Sequence, residues 1–432
     1  MIREALMGRP STTSEHLRHD IRCLHCWRVF QPDEVLSVAE HSDLLGDSLL
    51  GPDAQERFLP VRFTVSGHPL DARGMVCHGL ACPHCHLPLP RALLSSQELF
   101  ISIAGMPTSG KSYYLAALAH ELREILPEMF AINCVDADPV ANALLRDYEA
   151  SLFFNSRSDE QIPLGSLIGK TQPSGTLYDT VKYGDRLVHF AKPFTFLIEP
   201  AAHHNASADE HDCGRVLCLY DNAGEHFLAG EDTADKPGTR HLAESSILLL
   251  LIDLAQDPRL ATLCHSDSVS MLAGNPLKRR QEDMIREVSS RIRRHREANR
   301  TGKTTGPSVF VLLTKSDLWL NGTALPDPCP YVEKLGHRGI DCNAIDRVSN
   351  DLRSTLLQHA PDIVRATEEI SEFVRYLPVS ALGVRPVTNG EGPAIRPCDI
   401  APAWVTTPLI YGIGRCTKGL VYGTRSTASS AQ

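Results

Sequence analysis

The chain has 432 residues, 42% hydrophobic and 22% charged, an ordinary globular balance that excludes wholesale disorder. At roughly 150 residues per domain it implies two or three domains, or one enlarged by insertions. Lysine and arginine total 43 against 52 acidic residues, a formal charge of −9, which argues against a dedicated nucleic-acid coat or a polybasic membrane binder. No run approaches the ~18 apolar residues that span a bilayer. The opening Met1-Ile2-Arg3-Glu4 lacks the apolar stretch of a secretory signal, so a soluble protein in a reducing cytoplasm is expected.

Taken in chain order, residues 1–20 are polar and aperiodic, a flexible lead-in. Residues 21–94 form a segment rich in His, Cys and Pro, with one strand-like run at Phe58–Ser66. Its large apolar residues are too few for an independent core, so it needs a staple. The 13 cysteines are odd in number and read as reduced thiols or metal ligands rather than a disulfide framework. Cys23-Leu24-His25-Cys26 and Cys82-Pro83-His84-Cys85 make a C-x-x-C…C-x-x-C set. Each pair can offer two thiolates to one tetrahedral Zn²⁺ at ~2.3 Å. The interval between the pairs exceeds the roughly 15–20 residues of a compact ribbon. Cys77, His25, His84 and His86 are available for exchange into the site, but paired spacing favours Cys23, Cys26, Cys82 and Cys85. Scattered core cysteines and a redox pair are the alternatives. A closed four-thiolate site has no open coordination position, so its expected role is structural. The segment lacks aromatic–basic interleaving, so protein docking or fold stabilisation is expected before nucleic-acid binding.

From residue 95 the pattern changes to apolar β-rich runs alternating with helical stretches. The runs are Phe100–Ala104, Phe194–Glu199, Arg215–Tyr220, Ile247–Asp253, Ser308–Leu313 and Phe373–Val379. Helical candidates are Ser112–Leu126, Lys278–Arg300 and Ala344–His359. Together they predict an α/β domain over 95–422, with a mostly parallel sheet covered by helices on both faces and the zinc-ribbon-like module in front. Residues 155–192 are polar and glycine-containing and read as a long mobile loop. The basic Lys278–Arg296 helix reads as a solvated face partnered by Glu282, Glu287 and Glu297. Residues 423–432, rich in Ser, Thr and Ala, read as a disordered tail.

Four motifs carry chemistry. Gly105-Met106-Pro107-Thr108-Ser109-Gly110-Lys111-Ser112 fits G-x-x-x-x-G-K-[ST], between a strand and a helix. Its glycines let backbone amides and the helix N-terminus face a phosphate, with Lys111 reaching the β- and γ-phosphates and Ser112 binding Mg²⁺. Gly302-Lys303-Thr304 repeats the ending, but Glu297 stands where the first glycine is required, so it reads as a loop. Asp221-Asn222-Ala223-Gly224 ends a strand as D-x-x-G, with Asp221 on the Mg²⁺ shell and the Gly224 amide on the γ-phosphate. Thr314-Lys315-Ser316-Asp317 follows a strand. A carboxylate there can accept from guanine's ring N–H and its exocyclic amine, a donor pair adenine lacks, while the Lys315 stem lies along the base. Ser380-Ala381-Leu382 follows another strand and would contact the base through its backbone.

In this order the motifs resemble the Ras-like, translation-factor-related class of P-loop GTPases, over roughly Leu99 to Leu420. The resemblance implies GTP/GDP and Mg²⁺ as ligands. It also implies a Mg²⁺-sensing threonine in the polar loop, Thr176 first, then Thr180 and Thr171. The position after D-x-x-G, Gln in Ras-like proteins, is Glu225 here, followed by His226; related translation factors use His one position earlier. The departure implies slow intrinsic hydrolysis accelerated by a partner. An ATPase on the same fold, or a non-hydrolysing nucleotide-dependent scaffold, is the alternative. The paired-cysteine module joined to this domain further resembles the bacterial double-GTPase proteins. That implies an activator or a second GTPase as partner in a regulatory or conflict system. The stretch between Asp317 and Ser380 is long enough for a family-specific insertion.

Overall fold

The computed structural model describes residues 17–169, 177–202, 204, 214–221, 240–264, 280–299, 306–320, 331–334, 337–389 and 392–424. Its centre is a seven-stranded sheet built from β1 (Gln97–Gly105), β2 (Ile132–Asp136), β3 (Phe194–Pro200), β4 (Arg215–Asp221), β5 (Ile247–Asp253), β6 (Ser308–Thr314) and β7 (Val374–Pro378). The strand order is 2-3-4-1-5-6-7. β4, β1, β5, β6 and β7 run parallel, while β3 runs antiparallel beside β4 and β2 pairs antiparallel with β3 at the edge. All six strands expected from apolar runs are present. Ile132–Asp136 was not anticipated, because it is a short edge strand with only Ile132 and Cys134 buried, too brief an apolar run to stand out.

Successive side chains on a strand point to opposite faces, and here both faces are buried. One face, carrying Ile101, Leu219, Leu249 and Leu312, packs against α1 (Lys111–Phe130) and helices later in the chain, α5 (Cys342–His359) and α7 (Thr407–Cys416). The short α2 (Ala143–Phe153) lies on α1. On the opposite face, Leu250, Ile252, Val311 and Tyr376 meet α4 (Gln281–Asn299) and α6 (Pro361–Glu368), with α3 (Arg240–Glu244) beside them. Over β4 and β1 that second face has a different cover. Phe100, Val216, Cys218 and Tyr220 share a core with Ile21, Leu24, Trp27 and the four paired cysteines. Helices do cover both faces as expected, except over β4 and β1 on the second face. The N-terminal segment substitutes for helices over two strands, as its shortage of apolar residues requires.

Three further expectations change. Phe58–Ser66 is not one strand: Arg57–Phe58 is a short strand, Pro60 interrupts, Phe63 makes only an isolated bridge to Pro69, and Thr64–Gly67 makes a turn with the Gly67 amide donating to the Thr64 carbonyl at 3.0 Å. Within 155–192, Tyr178–Tyr183 and Arg186–Ala191 form a hairpin in place of a loop. Gly184, at φ +61°, supplies the tight turn between them. Val181 and Phe190 anchor that hairpin in the module's core. On α4, Glu282 is buried and pairs with Arg259 at 2.5 Å instead of lining a solvated face. Arg291, 1% exposed, pairs with Glu287 at 2.7 Å. The stretch after Asp317 supplies α5, α6 and β7, parts of the main sheet's own layers. Among the described residues no helix is long and apolar enough to cross a membrane.

Candidate nucleotide and metal sites

β1 lies between β4 and β5, so the chain's connections leave it in opposite directions and open a crevice outside the carboxyl ends of the strands. Parallel register sets the depth of each group at that edge. Asp221 stands opposite Ile103, Leu251 opposite Gly105, and Asp253 opposite Thr314. The loop at Gly105, Asp221, the Thr314–Asp317 turn and the Ser380 turn therefore emerge on one rim.

The 105–112 segment is a strand–loop–helix unit. A Cβ on Gly105 would come within 2.7 Å of Ser109 Oγ and 3.0 Å of Leu251 Cβ, so only glycine fits. Gly110, at φ +92°, precedes Lys111 as the N-cap of α1. Thr108 takes the left-handed region at φ +64° without being glycine. The buried Lys111 ammonium donates to the Gly105 carbonyl at 2.9 Å and the Met106 carbonyl at 3.2 Å. Ser112 lies in the first turn of α1. The loop thus presents a helix N-terminus and an ammonium to one concavity, chemistry suited to an anion. Asp221, 3% exposed, ends β4.

At the neighbouring strand ends, the Ser316 amide donates to the Val379 carbonyl at 3.1 Å and ties two motif turns together. Asp317 Oδ1 accepts from the Ser380 hydroxyl, and the Gly383 amide donates to Ser380 Oγ at 2.8 Å. Burial pushes the Asp317 carboxyl above the usual range, while the Ser380 hydroxyl opposes the shift. Lys315 Nζ donates to the Thr108 carbonyl at 3.1 Å and to Asp253 Oδ2 at 2.6 Å. Thr314 ends β6, and Ala381 and Leu382 follow Ser380 in its turn. That turn is pinned from behind by Ala403, whose carbonyl accepts from the Ser380 amide at 3.0 Å.

Thr176, Gly224, Glu225 and His226 lie outside the described residues, as do Thr171 and Gly302–Thr304. Thr180 is exposed in the hairpin, where Oγ1 meets His189 Nδ1 at 2.9 Å. Gly383, Arg385 and Gln256 lie outside every motif and carried no local signal. Arg385 Nε donates to the Asp317 carbonyl at 2.7 Å. A Cβ on Gly383, at φ +69°, would overlap the Ala401 carbonyl oxygen. Asp253 had a visible signal, an acidic residue closing the chain's longest apolar run.

Cys23, Cys26, Cys82 and Cys85 are buried, with their sulfurs within 4.8 Å of one another. Cys23 Sγ lies 3.7 Å from Cys85 Sγ, and Cys26 Sγ 3.8 Å from Cys82 Sγ. Tetrahedral Zn–S bonds of ~2.3 Å require sulfurs about 3.8 Å apart, so the cluster is compatible with zinc. Amides of His25 and Cys26 donate to Cys23 Sγ at 3.3 and 3.5 Å, and that of His84 to Cys82 Sγ at 3.4 Å. Three of the four exchange candidates are engaged elsewhere, and the His84 ring lies against Phe30. His25 Nε2 meets the Pro88 carbonyl at 3.1 Å, His86 Nδ1 meets Asp47 Oδ2 at 2.7 Å, and Cys77 Sγ meets the Met75 carbonyl at 3.7 Å.

No protein-family model matches the chain, and no curated protein matches it. Solved structures similar to it include the Ski7 GTPase-like domain of S. cerevisiae bound to GTP. That match has 12% identity over 66% of this chain and 43% of the other, with a TM-score of 0.26. Another is the signal recognition particle receptor SRb-GTP/SRX complex from Chaetomium thermophilum. It has 11% identity over 68% of this chain and 95% of the matched chain, with a TM-score of 0.23. The chain thus spans less than half the length of the first.

Proposed function

We propose that this chain is a molecular switch that binds GTP and GDP with Mg²⁺ and hydrolyses GTP slowly. The observation that carries the reading is the contact from Lys315 to the Thr108 carbonyl at 3.1 Å. It joins a guanine-type motif to a phosphate-type loop, so two segments distant in sequence form one cradle. Gly105, Met106, Pro107, Thr108, Ser109 and Gly110 would wrap the phosphates. Lys111 would leave its loop carbonyls to meet the β- and γ-phosphate oxygens. Ser112 and Asp221 would hold Mg²⁺, which neutralises charge between the phosphates. Asp317 would accept two hydrogen bonds from guanine, Lys315 would lie along the purine, and Ser380, Ala381 and Leu382 would border it.

Thr176 and Gly224 would respond to the γ-phosphate, and Glu225 or His226 would orient the attacking water. A carboxylate at 225 adds negative charge beside the phosphate, which fits slow turnover without a partner. That partner would be an activator or a second GTPase, in a bacterial regulatory or conflict system. Cys23, Cys26, Cys82 and Cys85 would hold Zn²⁺ in a closed structural site. The test is phosphate release from GTP together with GTP binding, in wild type and Lys111→Ala. Wild type is expected to turn over slowly, and the variant to bind about 100-fold more weakly or worse through loss of charged hydrogen bonds. Undiminished binding by Lys111→Ala would refute the loop assignment.

A further inference from the structure

We propose that Asp253 and Gln256 are positioning residues that lock the phosphate loop to the base-side turn before nucleotide arrives; this rests on the nucleotide-site reading above. Thr108 at the loop apex and Lys315 in the neighbouring turn both hold left-handed backbone without being glycine, at φ +64° and +55°. Such conformations persist only where their surroundings over-determine them. Here the surroundings converge on one carboxylate oxygen. Asp253 Oδ2 accepts from Lys315 Nζ at 2.6 Å and from Gln256 Nε2 at 3.0 Å. The same two donors continue into the loop. Lys315 Nζ reaches the Thr108 carbonyl at 3.1 Å, and Gln256 Nε2 reaches Thr108 Oγ1 at 2.8 Å and the Pro107 carbonyl at 3.3 Å.

Asp253 also sets the second arm's direction. Its Oδ1 accepts from the Ala255 amide at 3.1 Å, capping the short turn Leu254–Gln256 that carries Gln256. With 1% of its side chain exposed, Asp253 holds its charge where water screens it poorly, so the Lys315 ammonium is its necessary partner. An asparagine at 253 would keep the shape but present no anion to the ammonium. Neither residue needs to touch nucleotide. Both act by fixing Lys315 and the loop apex, so that base and phosphate contacts form together and break together.

The test is release of fluorescent mant-GDP into excess GDP, measured by stopped flow on the full chain. The proteins are wild type, Asp253→Asn, Gln256→Ala, Lys315→Met and the Asp253→Asn/Lys315→Met pair. Losing a charged or buried hydrogen bond predicts release about 10- to 100-fold faster for Asp253→Asn and about 3- to 10-fold faster for Gln256→Ala. GDP should stay preferred over ADP in both, since Asp317 is untouched. Because Asp253 acts through Lys315 and Gln256, adding Asp253→Asn to Lys315→Met should change release by no more than the about 3- to 10-fold of the Gln256 arm, less than its effect in wild type. Unchanged release in both single variants, or fully multiplicative effects in the pair, would overturn the assignment while leaving the nucleotide site standing. A wild type that holds no mant-GDP would overturn both. Gln256 is only half-buried, so its variant decides the matter if Asp253→Asn does not fold.

Discussion

In the proposed site, guanine recognition would rest on one carboxylate, that of Asp317. Burial raises its pKa, so protonation would compete with guanine at a higher pH than for an exposed aspartate. Recognition needs the ionised form. GDP affinity should therefore be full near neutrality and fall as pH drops through the raised value, and titrating affinity against pH checks this. For folding the sign is opposite: the raised value contributes stability below the ordinary aspartate pKa, and that contribution is lost as pH rises through the folded value. Asp317→Asn should flatten the acid limb of nucleotide binding. A carboxamide that accepts from the ring N–H can donate to a carbonyl at C2, so the same variant should gain affinity for xanthine nucleotides. Gly383→Ala should cost on the order of 2–4 kcal/mol in chemical denaturation, because its Cβ overlaps the Ala401 carbonyl in a left-handed backbone. Asp317 was legible because its motif is local. Gly383 was not, because what forbids a side chain there arrives from residue 401.

The paired-cysteine knuckles show the same division among elements. Their spacing announced a four-sulfur cluster, and the sulfurs do converge. The use of the cluster was not legible, since the face it covers belongs to β4 and β1. Trp27 packs on Tyr220 with ring centroids 6.0 Å apart, and the Tyr220 hydroxyl donates to the Leu24 carbonyl inside the first knuckle. Tyr220 immediately precedes Asp221, so the module borders the strand end that carries a candidate Mg²⁺ ligand. Tyr220→Phe keeps the ring and leaves the Leu24 carbonyl unpaired, which should cost about 1–2 kcal/mol in urea unfolding. Chelation, or Cys82→Ser, should lower the melting midpoint by on the order of 10 °C, because the module's core is continuous with the sheet's. A midpoint unmoved by chelation, with no zinc in metal analysis, would remove the zinc reading. The hairpin at 178–191 was missed for a related reason: its polar alternation resembles a loop until the module buries one side of it.

At the scale of the molecule, the opening numbers divide unevenly. A short segment with four clustered cysteines and a long α/β body share one sheet face. The −9 charge that argued against a polyanion coat is compatible with one bound nucleotide, for which Lys111 and Lys315 supply local positive charge at a single rim. Six of the seven strands of the main sheet, and the position of each motif at a strand end, could be read because each motif follows an apolar run. The covering layer could not, since nothing local says that residues 21–94 replace helices. The central claim is guanine recognition at that rim. Its most direct measurement is equilibrium competition of GDP and ADP for mant-GDP bound to the full chain. The account predicts displacement by GDP at concentrations at least about 100-fold below those needed for ADP, the discrimination expected when a site built to pair with two donors meets a base that lacks them. Equal displacement by the two nucleotides would contradict it.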